Sequence, residues 1–333
     1  MALFNKAEDG AGQTNSLQRN KFSLSQVSSL TMLLVSLIAM FVVFTILSPY
    51  FMTVSNMVNL LQQVSVLGIA SAGITLVILS GNLDLSVGSV MAIVAVYTAY
   101  IIQLTNNWVI GLIGGFLIGV LCGFINAGMI NALKMNPLIV TLGMQSVLRG
   151  LARLRNKGVN IPIFDTSFRF IGQGRIFGIP VVVYILIILY ILMYFVMRYT
   201  TFGRKAYAVG GNVMASHYSG INVMFVSSAI YILASTLAGV AGLCNAAIVG
   251  TGAPATGETT PMDAIAAVVL GGASLAGGKA SMVGTFVGVV LLGCISNGLT
   301  LLGVTSFTQL VVKGAILLLA VFIDVTKNRG KKE

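Results

Sequence analysis

The sequence predicts an all-α, polytopic integral membrane protein with about ten transmembrane helices, and three observations predict it. Only 8 % of the 333 residues are charged, where a soluble domain carries roughly a quarter. The mean hydropathy is +0.97. The apolar residues, 57 % of the chain, fall into long runs nearly free of charge. A soluble core of that extent would lack the polar surface to coat it.

The crossings are placed in order along the chain. The first, 28–48, follows a polar segment containing Lys6, Arg19 and Lys21; it is too long for a signal-peptide core and Ser48-Pro49-Tyr50 is a poor cleavage site, so it is read as retained. Spans 57–79 and 85–104 flank an interrupted stretch at 81–89. The fourth, 109–132, carries Gly111, Gly115, Gly119 and Gly123, continued by Ala127 and Asn131. This is a stripe on which a neighbouring helix can lie closely. The fifth, 137–154, is interrupted by Arg149. The sixth and seventh are 180–197 and 222–249. The eighth, 262–273, is short enough to be a half-helix. The ninth, 281–302, repeats the glycine spacing at Gly284 and Gly288, and the tenth is 307–324. Five spans per half make an inverted repeat geometrically possible, although no sequence match between the halves supports it.

Lys and Arg set the orientation. With the N-terminus in the cytoplasm, Lys6, Arg19, Lys21, Lys134, Arg198, Arg204, Lys205, Lys279, Lys327, Arg329, Lys331 and Lys332 are inside; Arg149, Arg153, Arg155, Lys157, Arg169, Arg175 and Lys313 are outside. Both termini are then cytoplasmic. The net charge of +11 is explained by membrane orientation rather than nucleic-acid binding, since no basic patch with interleaved aromatics occurs. Cys122, Cys244 and Cys294 sit in apolar runs as small packing residues. With His217 the single histidine, no metal-ligand spacing exists, and there is no catalytic triad or carboxylate pair. The chain divides into an N-terminal tail, 1–26, a transmembrane domain, 27–326, and a basic tail, 327–333.

Three segments carry chemistry. In residues 81–89 (Gly-Asn-Leu-Asp-Leu-Ser-Val-Gly-Ser), Asp84 is the lone acid between Asp9 and Asp165. Asp84 or Ser86 can cap the third helix, or mark a pathway at membrane depth; the two roles can coexist. Residues 198–221 are basic, aromatic and amphipathic. They form either a helix on the membrane face that docks in a partner's groove or an ordinary anchored loop. Residues 262–279 tempt one toward a phosphate-binding loop, but Ala273 and Ala280 stand where that pattern needs Gly and Ser or Thr. The glycines there are read as a tight turn, and Asp263 as a helix cap.

Together with 136–143 (Asn-Pro-Leu-Ile-Val-Thr-Leu-Gly), segments 81–89, 201–221 and 263–278 make the chain resemble the permease subunit of bacterial ABC sugar importers, of the ribose-transport type within the branched-chain permease superfamily. The resemblance spans 56–321. It implies a permease of the bacterial cytoplasmic membrane for a ribose-like pentose or related polyol. The implied partners are a second permease copy, expected as a homodimer, separate ATPase subunits, and a periplasmic or lipid-anchored sugar-binding protein. ATP and Mg would be held by the ATPase, with no cofactor on this chain. The resemblance places ATPase coupling at Gly203, Arg204, Tyr207, Gly210, Gly211 and Asn212. The expected translocation pathway is Asn82, Asp84, Ser86, Asn126, Thr141 and Asn297. Receptor docking is expected at Arg153, Arg155, Lys157, Arg169 and Arg175, with headgroup or solvent contact as the alternative. Departures from the family pattern at Asn82, Pro261-Met262, Ala273 and Ala280 lie near the expected path and spare the coupling segment. The rival class is an ion-coupled secondary transporter, which would want an ionisable partner for Asp84; a purely structural membrane subunit is the other.

Overall fold

The computed structural model describes residues 21–329, with side chains over residues 30–326 apart from Ile323. The expected tails therefore lie largely outside the described residues, as do the side chains of Lys6, Arg19, Lys21, Lys327, Arg329, Lys331 and Lys332.

Thirteen helices are described: α1 (Lys21–Leu47), α2 (Val54–Leu79), α3 (Val87–Thr105), α4 (Trp108–Ala127, extended by a π-helical turn Gly128–Ala132), α5 (Pro137–Arg155), α6 (Thr166–Gln173), α7 (Val181–Tyr199), α8 (Thr201–Gly211), α9 (Val213–Tyr218), α10 (Val223–Val249), α11 (Thr260–Leu270), α12 (Met282–Leu301) and α13 (Ser306–Arg329). Short polar side chains start many of them, as the free N–H groups of a first turn require. The Asn107 amide oxygen accepts from Val109 and Ile110 N–H, and Asn136 does the same for Leu138 and Ile139 ahead of Pro137. Thr53, Ser281, Asn212 and Asn222 cap α2, α12, α9 and α10.

Among the described residues eight helices are long and apolar enough to cross a membrane: α1, α2, α3, α4, α7, α10, α12 and α13. The other two expected crossings have different characters. Helix α11 has 11 residues, about 16 Å at 1.5 Å per residue and roughly half of a hydrocarbon core, so it is the expected half-helix. Helix α5 has the length but carries Arg149, Arg153 and Arg155 in its second half.

Helices α2 and α10 form the centre and pack on each other. Around them the neighbours exchange in pairs: α4 lies on α10 and α12 on α2; α3 packs on α10, α4 and α5, while α11 packs on α2, α12 and α13. Swapping α2, α3, α4 and α5 for α10, α11, α12 and α13 thus preserves the packing. That is the pattern of a repeat of four helices per half, visible in the packing where it was invisible in the sequence; α1, which packs on α12, and α7, which packs on α2, do not exchange in this way. Close approach at the centre rests on small residues. A Cβ on Gly73 would lie 2.9 Å from the Ala234 backbone, and one on Gly123 would lie 2.7 Å from Ile232 Cα. The α4 stripe therefore faces α3 at Gly111, both α3 and α10 at Gly115, and α10 at Gly119 and Gly123, and Asn131 extends it by donating to Ser228 Oγ at 3.0 Å.

The two ends of the bundle differ. One carries α6, a two-residue pairing of β1 (Ile161–Pro162) with β4 (Thr251–Gly252), and a tight hairpin of β2 (Arg175–Ile176) and β3 (Ile179–Pro180). The other carries α8, α9 and the turn between α11 and α12.

Candidate functional site

The first candidate region is the break between α2 and α3. Helix α2 stops at Ser80, Gly81 takes a φ of 77° that favours glycine, and the chain runs non-helically to Ser86 before α3 begins. Asp84 is fully buried in this segment. Its Oδ1 accepts from Ser86 N–H at 2.8 Å and from Ser86 Oγ at 2.6 Å. Asn126 on α4 donates from Nδ2 to Ser86 Oγ at 3.0 Å. Ser86 occupies the N-cap position but makes no side-chain cap bond. The expected caps are thus replaced by a linkage running from Asp84 through Ser86 to Asn126. Asp84 Oδ2 and Asn126 Oδ1, together with Ser89 Oγ of α3 and Tyr231 OH and Ser235 Oγ of α10, are buried with no protein partner.

The remaining pathway candidates do not join this linkage. Asn82 bonds locally to Ser80 Oγ at 3.2 Å. Thr141 is buried on α5 and donates to the Leu138 carbonyl at 3.3 Å. Asn297 exchanges two amide hydrogen bonds with Asn56, each 2.8 Å, joining α12 to α2; Asn56 also donates to the Phe51 carbonyl.

The second region is α8. It buries Gly203, Ala206 and Val209 and exposes Arg204, Lys205, Ala208 and Gly211. The segment is therefore an amphipathic helix, and its glycines have unequal roles. A Cβ on Gly203 would fall on the Met197 carbonyl, and one on Gly210 on the Leu79 carbonyl, whereas Gly211 has nothing within 4 Å. Tyr207 donates to the Ala280 carbonyl at 2.8 Å. Burial raises its hydroxyl pKa, with Arg198 pulling weakly the other way. Asn212 caps α9 through Ala215 N–H at 2.9 Å. Beside this face opens a groove lined by His217, Gly220, Ile221, Asn222, Val223 and Met224.

The turn after α11 is not a phosphate cradle. Gly277 and Gly278 have φ of 86° and 72°, and Gly278 N–H is occupied by the Leu79 carbonyl at 2.9 Å. Among the described residues no cluster of His, Cys, Asp or Glu could hold a metal.

The third region is the α6 end. Its expected basic cluster is only partly free. Arg153 pairs with Glu258 at 3.7 Å, Arg155 stacks 3.4 Å over the Tyr100 ring, and Arg169 donates to Gln173 Oε1 at 3.0 Å. Lys157 and Arg175 are exposed. Two structural contacts were not anticipated. Arg149 donates to the carbonyls of Pro254 and Thr256, both at 2.7 Å, and so holds α5 to the loop before α11. Asp263, expected as a cap, instead pairs with Lys313 at 2.9 Å. Each is a lone charge in an apolar run, which was the signal that it needed a partner.

The model of the family described as "Branched-chain amino acid transport system / permease component" matches residues 56–321. The chain belongs to this permease family. It is therefore a multi-pass membrane protein. The chain is 42 % identical over 289 residues to the ribose import permease protein of Bacillus subtilis (strain 168), covering 86 % of this chain and 90 % of that one. It is 38 % identical over 299 residues to the ribose import permease protein of Escherichia coli (strain K12), covering 89 % and 93 %. It is 36 % identical over 314 residues to the L-arabinose transport system permease protein of the same strain, covering 94 % and 96 %. No solved structure matches the chain.

Proposed function

We propose that this permease is the membrane subunit of an ATP-driven importer for a pentose or closely related sugar. The observation that carries this reading is the similarity to sugar permeases, 42 % identity to a ribose permease over 86 % of the chain and 36 % to an L-arabinose permease over 94 %.

On this reading α8 lies in the cytoplasm, and its Arg204, Lys205, Gly211 and Asn212 face seats in a groove on a separate ATPase subunit. The positive-inside bias, twelve basic residues against seven, supports that orientation and puts both termini inside. The ATPase holds ATP and Mg; this chain contributes no ligand to either. At the opposite end, Lys157 and Arg175 meet the sugar-binding protein outside the bacterial cytoplasmic membrane.

A second copy of the chain completes the path. Helix α5 supports this reading: its outward side sets Gly143, Ser146 and Gly150 among the exposed Ile139, Leu142 and Val147, and nothing lies within 4 Å of a Cβ built on either glycine, so another helix can approach its backbone there. The sugar passes along a weakly polar route, in which Asp84, Ser86 and Asn126 form a buried hinge between α3 and α4. ATP binding and the loaded receptor each favour one of two conformations, and differential affinity drives the exchange.

Reconstitution tests the reading. Proteoliposomes holding this chain with candidate ATPase and sugar-binding partners should accumulate labelled ribose or arabinose only with ATP, and ionophores should leave uptake unchanged. Uptake by this chain alone down an ion gradient would overturn it in favour of a secondary transporter.

A further inference from the structure

Beyond Gly203, which packs on the Met197 carbonyl at the end of the preceding α7, helix α8 meets the membrane helices backbone to backbone at Gly210. A Cβ on Gly210 would fall on the Leu79 carbonyl and lie 2.9 Å from Gly278 N. One on Gly277 would meet the Gly210 carbonyl at 2.7 Å and Gly81 Cα at 2.9 Å; one on Gly278 would meet Gly211 Cα at 2.9 Å. Gly278 N–H donates to the Leu79 carbonyl at 2.9 Å, and Tyr207 OH donates to the Ala280 carbonyl at 2.8 Å. Three stretches of backbone, from α8, the end of α2 and the α11–α12 turn, are thus in direct contact.

This junction lies at the root of both broken elements. Just past Gly81 the chain runs to Asp84, whose tie through Ser86 and Asn126 fixes the start of α3. On the other side the turn leads back to half-helix α11, and Leu275 N–H in that turn is held by Asp324 Oδ2 of α13 at 3.2 Å. Side chains absorb small displacements by changing rotamer. Backbone packed on backbone has no such freedom, and closely packed contacts transmit strain.

We propose that Gly210 and Tyr207 are the transmission residues of this permease: they pass the displacement of α8 to the α2–α3 break and to the α11–α12 turn at once, so that α3 and half-helix α11 move together. They do so through contacts directed at the membrane helices, the half-buried Gly210 on the Leu79 carbonyl and the hydroxyl of the 36 % exposed Tyr207 on the Ala280 carbonyl, whereas Arg204 and Gly211 face the partner. The inference rests on the proposed seating of α8 on an ATPase.

Adjacent glycines provide the test. In the reconstituted complex, Gly210→Ala should retain the ATPase subunit and its basal hydrolysis within about twofold. It should lose at least tenfold in sugar moved per ATP and lose stimulation by the loaded binding protein. Gly211→Ala, whose Cβ enters the partner face rather than the junction, should affect at most retention of the ATPase, and assembled complexes should move as much sugar per ATP as the parent. Tyr207→Phe, which deletes only the bond to the Ala280 carbonyl, should lower sugar moved per ATP several-fold with ATPase retention unchanged, and it decides the matter if Gly210→Ala does not assemble. Gly210→Ala coupling as tightly as the parent, or Tyr207→Phe doing so where the glycine variant fails to assemble, overturns the proposal. Failure of the parent chain to retain any ATPase would instead sink the reading on which it rests.

Discussion

Lys313 of α13 and Asp263 in the first turn of half-helix α11 form an ion pair 2.9 Å apart, their side chains 22 % and 13 % exposed. Asp263 Oδ2 also accepts from Thr259 Oγ1 at 3.1 Å. The acid sits where a helix N-terminus favours negative charge, and the lysine neutralises it. Charges at such depth are costly when single, so the pair holds α11 against α13 as a unit.

Breaking that pair should hurt more than removing it. Lys313→Ala is expected to cost about 1–3 kcal/mol, below the fully buried range because some exposure remains. The double variant D263N/K313M should recover at least half of the loss. Thermal unfolding of the detergent-solubilised protein measures this; equal midpoints for the single and double variants would show that the charges act independently.

The Asn56–Asn297 pair makes a different prediction. Its reciprocal amide bonds leave neither carboxamide needing solute. Asn297→Ala should lower stability by about 0.5–2 kcal/mol, the range for interhelical hydrogen bonds, and leave the apparent KM for sugar within twofold. A large KM change with unaltered stability would place Asn297 on the path after all.

Glycine positions should sort by what lies opposite them. Gly123→Leu puts a side chain into the Ile232 backbone of α10 and should abolish accumulation of folded protein. Gly128→Leu, with nothing within 4 Å, should be tolerated. Membrane yield of monodisperse protein separates the two, and similar yields would contradict the α4–α10 packing.

At the α6 end, the exposed cations should govern encounter rather than chemistry. Lys157→Glu with Arg175→Glu should slow association with the binding protein about tenfold, with a weaker salt dependence, and leave basal ATP hydrolysis unchanged. Association kinetics at two salt concentrations are the measurement, and an unchanged rate would return this loop to headgroup or solvent contact.

The long helices were legible because lipid admits only segments that satisfy their own backbone, and these read as unbroken apolar runs. Asp84 was legible as a lone acid in an interrupted segment. Its link through Ser86 to Asn126 was not, although each residue was expected on the path, because the register between α3 and α4 is set by packing rather than by local pattern. Gly210 and Gly211 are indistinguishable in sequence, yet one meets the Leu79 carbonyl and the other meets nothing. The basic loop read as one free patch because charge is visible in sequence and partners such as Glu258 and Tyr100 are not.

Thiol labelling of Arg204→Cys tests the account most directly, since the native Cys122, Cys244 and Cys294 are buried. A membrane-impermeant maleimide should spare position 204 in intact cells, label it in inside-out vesicles, and be blocked there once the ATPase subunit assembles. Labelling from the outside of intact cells, or labelling that ignores the ATPase, would contradict it.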